Sequence, residues 1–107
     1  MNEAEFNRVS NAVLSAMLDV LERADEEGTL EVEFQMGIMT ITLDGGHQFI
    51  INKHAPSQQI WLSSPLSGGL HFSFDASNKE WALADGRRLD QVLSAELHKL
   101  VGIEVVF

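Results

Sequence analysis

The stretch Ile51 to Gly68, INKHAPSQQIWLSSPLSG, decides how this chain is read. Asn52-Lys53 reads as a turn leading through Pro56, and an asparagine side chain stabilises such a turn by hydrogen-bonding the backbone two residues on. Gln59-Ile60-Trp61-Leu62 reads as a strand, and Ser63-Ser64-Pro65 with Ser67-Gly68 as the loop beyond it. If Ile60 and Leu62 point into a core, the period of two sends Gln59, Trp61 and Ser63 to the outer face of the sheet. On composition alone a buried and an exposed tryptophan are about equally expected. Strand phase decides for exposure.

The neighbouring segments extend the pattern. Leu70, Phe72 and Phe74 point inward and His71 and Ser73 outward, so Trp61 and His71 are expected on one face. Upstream, Leu30, Val32, Phe34 and Met36 alternate with Glu31, Glu33 and Gln35, the period of a half-buried strand whose glutamates face water. Gly37 turns the chain into Met39, Ile41 and Leu43, and Asp44-Gly45-Gly46 supplies a hairpin before a strand over 48–52. A short strand over 80–83 reaches the Asp85-Gly86 turn.

Helical spacing governs the two ends. Phe6, Val9, Val13, Ala16, Met17, Val20 and Ala24 form one apolar stripe, with Asp19, Glu22 and Glu26 opposite. Leu89, Val92, Leu93, Leu97 and Leu100 form a second stripe, which Gly102 stops, and the apolar tail 103–107 is expected to pack against the helices. The predicted fold class is therefore α+β: a two-layer sandwich, N- and C-terminal helices packed on one face of an antiparallel β-sheet, with residues 1–107 as a single domain. A chain of 107 residues buries roughly 60 to 70% of its unfolded surface in one core.

Composition excludes several functions. With no cysteine there is no disulfide, no thiol nucleophile, no thiolate zinc site and no iron-sulfur cluster held by the chain's own thiolates. There is no run of apolar residues long enough to span a membrane, and MNEAEF reads as neither a signal nor a transit peptide, which predicts the bacterial cytosol. Seven Lys and Arg against sixteen Asp and Glu leave a net charge of −9, and nine of the acids lie within residues 1–33. Such a surface repels nucleic acid and suits cations or basic proteins. Ser63-Ser64 lacks nucleophile-elbow glycines, and no phosphate loop occurs. His47, His54 and His98 have no metal-binding spacing and read as scattered surface residues.

Asn52, Lys53, Pro56, Gln59 to Pro65, Ser67 and Gly68 together resemble the signature of the frataxin family, and the acidic first helix and the closing LDQVLSAELHKL extend the likeness over nearly the whole chain. The resemblance implies the same two-layer fold and an iron-binding accessory role in iron-sulfur cluster assembly, with cysteine desulfurase and the iron-sulfur scaffold protein as partners. It implies no enzyme beyond a weak, secondary ferroxidase activity, no haem, no bound cluster, no nucleic acid or membrane partner, and a monomer in the absence of iron. An iron chaperone or store, and an acidic scaffold domain with no metal role, stand as alternatives.

The acids fit this implication in part. Glu22, Asp25, Glu26 and Glu27 cluster at the end of the first helix, where the dipole disfavours carboxylates, and Glu22 with Glu26 is a like-charge i,i+4 pair. A solvated face is the plain reading of such charge. By position, Asp19, Glu22, Asp25, Glu26, Glu31 and Glu33 match the family's acidic ridge, implicated in binding Fe2+ and Fe3+ and in meeting a basic desulfurase surface. Exposed carboxylates on regular elements predict weak, labile binding by one or two side chains and several waters. Asn52, Gln59 and Trp61 carry over by identity to the family's partner-binding face, and His71 stands where eukaryotic relatives have arginine. Arg88 stands where relatives in that family often carry a serine able to cap the last helix, which leaves Asp85 or Asp90 to contribute.

Overall fold

A computed structural model describes residues 1–107. Helix α1, Glu3–Ala24, starts where Asn2 Oδ1 accepts from the Glu5 N–H at 2.8 Å, with Glu3 and Glu5 in the dipole-favoured first turn. Six strands follow: β1 Glu31–Gln35, β2 Ile38–Thr42, β3 Gln48–His54, β4 Gln59–Ser64, β5 Gly68–Asp75 and β6 Glu80–Ala82. They form one sheet in chain order, each strand antiparallel to the next. Helix α2, Leu89–Val101, closes the fold, and Gly102 ends it with φ 72° and an N–H bonded to His98 O.

The core lies between the sheet's inner face and the two helices. Phe6, Leu14, Met17 and Leu21 of α1 and Leu93 and Leu97 of α2 meet Met39, Ile41, Ile51, Ile60 and Phe72 of the strands, all essentially inaccessible. The α1 stripe is thus rotated from the predicted one. Leu14, Leu21 and Ser10 are buried, whereas Val9, Val13 and Val20 are half-buried and Ala16 is exposed. Ser10 can face the core because its hydroxyl donates to Phe6 O at 2.6 Å. Val13, Ala16 and Val20 instead line a 180 Å³ groove shared with Trp81, Leu89 and Phe107. An aliphatic arc this wide can face the sheet at more than one rotation, and the two leucines settle it.

Other departures are local. Strand β3 continues to His54, and a one-turn 3-10 helix, Ala55–Ser57, replaces the turn read at Asn52-Lys53. Met36 joins Gly37 in the β1–β2 turn with φ 52° and is fully solvent-exposed, outside the inward set predicted for it. Leu100 is exposed, and the α2 position that turns inward is Glu96, which is buried. Gln91 Oε1 accepts from the Arg88 N–H at 3.4 Å, and Asp90 accepts from the Gln91 N–H at 2.8 Å, so Asp90 shares in the start of α2 while Asp85 closes its own turn through the Arg87 N–H at 3.0 Å. The tail packs as expected: Val105 is buried, and its carbonyl accepts from the Ser94 hydroxyl.

Candidate functional site

Two surfaces gather the residues singled out in the sequence. On the ridge, Asp19, Glu22 and Glu26 are exposed on the helix layer, and Glu31 and Glu33 are exposed on β1. Val32 and Phe34 of β1 pack toward α1, so the two glutamates point to the opposite face of the sheet. Edge strand β1 therefore borders both surfaces. None of the six ridge acids has a basic side chain within ion-pairing distance, Arg23 included.

Asp25 differs from the other five. It is the C-cap of α1, and its carboxylate accepts from Thr29 N (2.8 Å), Thr29 Oγ1 (3.0 Å) and Leu30 N (2.9 Å). Burial pushes its carboxyl pKa up, but the hydrogen bonds from Leu30 and Thr29 together outweigh that and hold it below the ordinary aspartate value. Helix cap and loop clasp are its evident duties. A polar hollow of 280 Å³ lies beside it, lined by Glu26, Glu27, Thr29 and Glu104 among others.

No three carboxylate or imidazole side chains converge closely enough to enclose an ion. What the ridge offers is one or two hard oxygen donors at a time on an open surface, a donor set that fits a loosely held, largely hydrated cation.

The second surface is the outer face of the sheet. Asn52, Trp61 and His71 are direct cross-strand partners on β3, β4 and β5, and Gln59 lies opposite His54 on one side and Ser73 on the other. Trp61 Nε1 donates to Gln59 Oε1 at 2.9 Å, and Gln59 Nε2 donates to Ser73 Oγ at 3.2 Å. The predicted phase holds: Ile60 and Leu62 are buried and Trp61 is half-exposed on the solvent side. Trp81, by contrast, packs inside against Phe6 and Phe74, ring centroids 5.9 and 5.2 Å away.

His54 is the member of this surface that sequence reading passed over. Its ring stacks on Trp61 at 3.7 Å and 10°, and His71 stacks on the indole at 4.2 Å and 12°. The available signal was strand parity: with Ile51 inward, a strand carried past Asn52 puts His54 outward.

Residues 1–103 match the frataxin-like domain family. The chain belongs to the frataxin family. Frataxins bind iron and serve iron-sulfur cluster assembly, and they are iron-binding proteins rather than enzymes in general. Mitochondrial frataxin from Dictyostelium discoideum is 39% identical over 84 residues, covering 78% of this chain and 44% of the relative. The mitochondrial homologue from Schizosaccharomyces pombe is 32% identical, covering 92% and 65%, and that from Saccharomyces cerevisiae is 35% identical, covering 91% and 57%. The chain thus spans about half to two thirds of the length of these relatives.

Among solved structures, a frataxin from Psychromonas ingrahamii, of the CyaY family, superposes with a TM-score of 0.88 at 23% identity over 98% of this chain and 96% of that one. Trimeric frataxin from Saccharomyces cerevisiae, complexed with ferrous iron, gives a TM-score of 0.73 at 36% identity over 85% of this chain and 83% of that one. These relatives overturn the expected bacterial cytosolic location. Three of them are mitochondrial and one is bacterial, so family membership alone does not assign a compartment.

Proposed function

We propose that this frataxin acts as an iron-binding accessory protein of iron-sulfur cluster assembly, docking on the cysteine desulfurase and the scaffold protein. The carrying observation is Trp61, an indole held outward in a polar frame by Gln59 and two histidines, since exposed aromatics ringed by polar groups are typical contact hot spots. Asn52, Gln59, Trp61 and His71 form the proposed contact with the partners. Asp19, Glu22, Glu26, Glu31 and Glu33 offer unpaired negative charge to a basic partner and hard oxygens to Fe2+ or Fe3+, with Asp25 the least available of the ridge because its oxygens hold Thr29 and Leu30. Iron held this way is labile cargo, and the protein without it is a monomer. Weak ferroxidase activity would be incidental to such binding.

An iron chaperone or store acting through the ridge is the second reading, favoured by the ferrous complex of the yeast relative. Titrating ferrous iron under anaerobic conditions while measuring desulfurase binding and sulfide production separates the two. The accessory role requires complex formation without iron and a change in sulfide output. Iron binding with no desulfurase contact would sink it in favour of the chaperone.

A further inference from the structure

The outward positions of all six strands carry four carboxylates, Glu31, Glu33, Asp75 and Glu80, and no lysine or arginine. At the middle of this negative face stand three parallel rings, His54, Trp61 and His71, contributed by three adjacent strands. The rings lie outside the core, on the solvent side of a sheet already held by its backbone ladder. His54 is fixed, its Nδ1 within 2.6 Å of Ser57 Oγ, whereas His71 is exposed and has no hydrogen-bond or ion-pair partner. The stack is therefore preorganised at one end and open at the other.

We infer that the His54–Trp61–His71 stack is a proton-sensitive platform for arginine side chains of a basic partner. This rests on the reading that a basic protein docks on this face, and adds which side chain is taken and under what condition. A guanidinium is planar, weakly hydrated and stacks on aromatic faces, and the surrounding carboxylates supply the complementary field. Lysine, a compact and strongly hydrated charge, gains less from a flat ring. Imidazole is the side chain that ordinarily changes charge between about pH 5 and 8. The indole has a ring stacked on each face, so the π faces left for a guanidinium are those at the ends of the stack, the open one being His71, and they are uncharged while the imidazoles are neutral. Once protonated they make cation-π contacts with the indole between them and repel a guanidinium. Arginine is then bound while these imidazoles are neutral and released when they take up protons.

The other charged groups near the stack do not reproduce this behaviour. On β1 stand Glu31 and Glu33, and on β5 and β6 stand Asp75 and Glu80, the latter 3.4 Å from Arg88. Carboxylates ordinarily titrate near pH 4, below the imidazole range. Strands β2 and β4 present no charged group outward. On β3, Lys53 turns to the helix layer and donates to Asn11 Oδ1 at 2.9 Å. The N-terminal residue Met1 approaches the one-turn helix through Gln58, so its amino group must be held constant in any comparison.

The test follows the Trp61 indole and His71 ring signals by NMR as a short arginine peptide or its lysine counterpart is added at about pH 8 and about pH 6, for the wild type and a His54→Gln/His71→Gln variant with the same N-terminus. The wild type should bind the arginine peptide about tenfold more weakly at the lower pH, and the variant should lose that difference. Equal response to the two peptides, or an unchanged pH effect in the variant, overturns the platform. If the double variant does not fold, His71→Gln alone carries the same test, being exposed. The cysteine desulfurase is titrated in parallel at both pH values. Failure to bind there, with the peptide response intact, removes the functional reading and leaves the platform standing; desulfurase binding without the peptide response does the reverse.

Discussion

Asp25 holds Leu30 in place: its Oδ2 accepts the Leu30 N–H at 2.9 Å, five residues along the chain, and so ties the end of α1 to the entry of β1. Its other oxygen holds both the N–H and the hydroxyl of Thr29. A carboxylate that looks misplaced against the helix dipole is thus a cap for the loop that follows.

Replacing the acids at this end of the helix should therefore split by position. Glu22→Gln with Glu26→Gln removes two unpaired carboxylates, one in the last turns of α1 and one just past its C-cap, from the negative end of the helix dipole and should raise stability by about 0.5 kcal/mol. Asp25→Asn keeps the shape but loses charge-assisted acceptors and should cost about 1 to 2 kcal/mol. Urea denaturation of the two variants checks this. Stabilisation by Asp25→Asn would show that dipole and like-charge repulsion outweigh the clasp. Binding of ferrous iron should fall with the glutamine pair, whose oxygens are unengaged.

The same clasp predicts an acid limb. Because the folded-state pKa of Asp25 is lowered, its contribution is fully present above the ordinary aspartate range and is lost as pH falls through the folded value. The wild-type Tm should drop more steeply than that of Asp25→Asn between about pH 5 and about pH 3. Parallel curves would assign acid unfolding to other carboxylates.

Trp61 and Trp81 should respond in opposite ways to truncation. Trp81→Ala empties a core position against Phe6 and Phe74 and should cost about 3 to 5 kcal/mol. Trp61→Ala removes an outward ring and should cost about 1 kcal/mol while weakening binding to the assembly complex at least about tenfold. Melts on the two variants, beside desulfurase and scaffold binding, decide it. A core-sized loss at Trp61 would mean that the stack is structural first.

Much of this arrangement was legible in the sequence because it depends on parity. Once Ile60 and Leu62 are inward, Gln59, Trp61 and their neighbours on β5 have no choice of face, and register puts His71 beside Trp61. Rotation of α1 was less legible, since Val, Ala and Leu surround most of the helix and only packing chooses Leu14 and Leu21 for the sheet. His54 escaped because the strand was read as ending at Asn52. The structural duties of Asp25, Ser64 and Glu96 escaped for another reason: a polar residue that satisfies a loop or is buried with a partner looks, in one dimension, like any exposed one.

Charge on the ridge should show in salt dependence. The ridge acids have no intramolecular ion pairs to lose, so their field is available to a partner and is screened over about 8 Å at physiological ionic strength. Desulfurase affinity should fall steeply from low to high salt, mostly through the on-rate. An affinity indifferent to salt would leave the outer sheet face as the principal contact.

The last prediction concerns Ser64, where the signature motif has a structural reason for its serine. The hydroxyl accepts from Leu66 N at 3.0 Å and Ser67 N at 3.1 Å, folding the loop after β4, and donates to the buried Glu96 carboxylate of α2. One oxygen thus joins the β4–β5 loop to the helix layer. Ser64→Ala leaves two loop N–H groups and a buried carboxylate without this partner, which should cost about 2 to 3 kcal/mol. Glu96→Gln keeps an acceptor for the hydroxyl and should cost less. Because the Ser64 side chain faces inward, away from the Trp61 stack, ferrous iron and desulfurase binding measured well below the Tm should be unchanged in both variants. Urea curves give the first quantity and titration calorimetry the second. A Ser64→Ala protein as stable as wild type would reduce the Ser64–Glu96 bond to a contact without consequence, and a stable variant with weakened partner binding would extend the interface into the loop after β4.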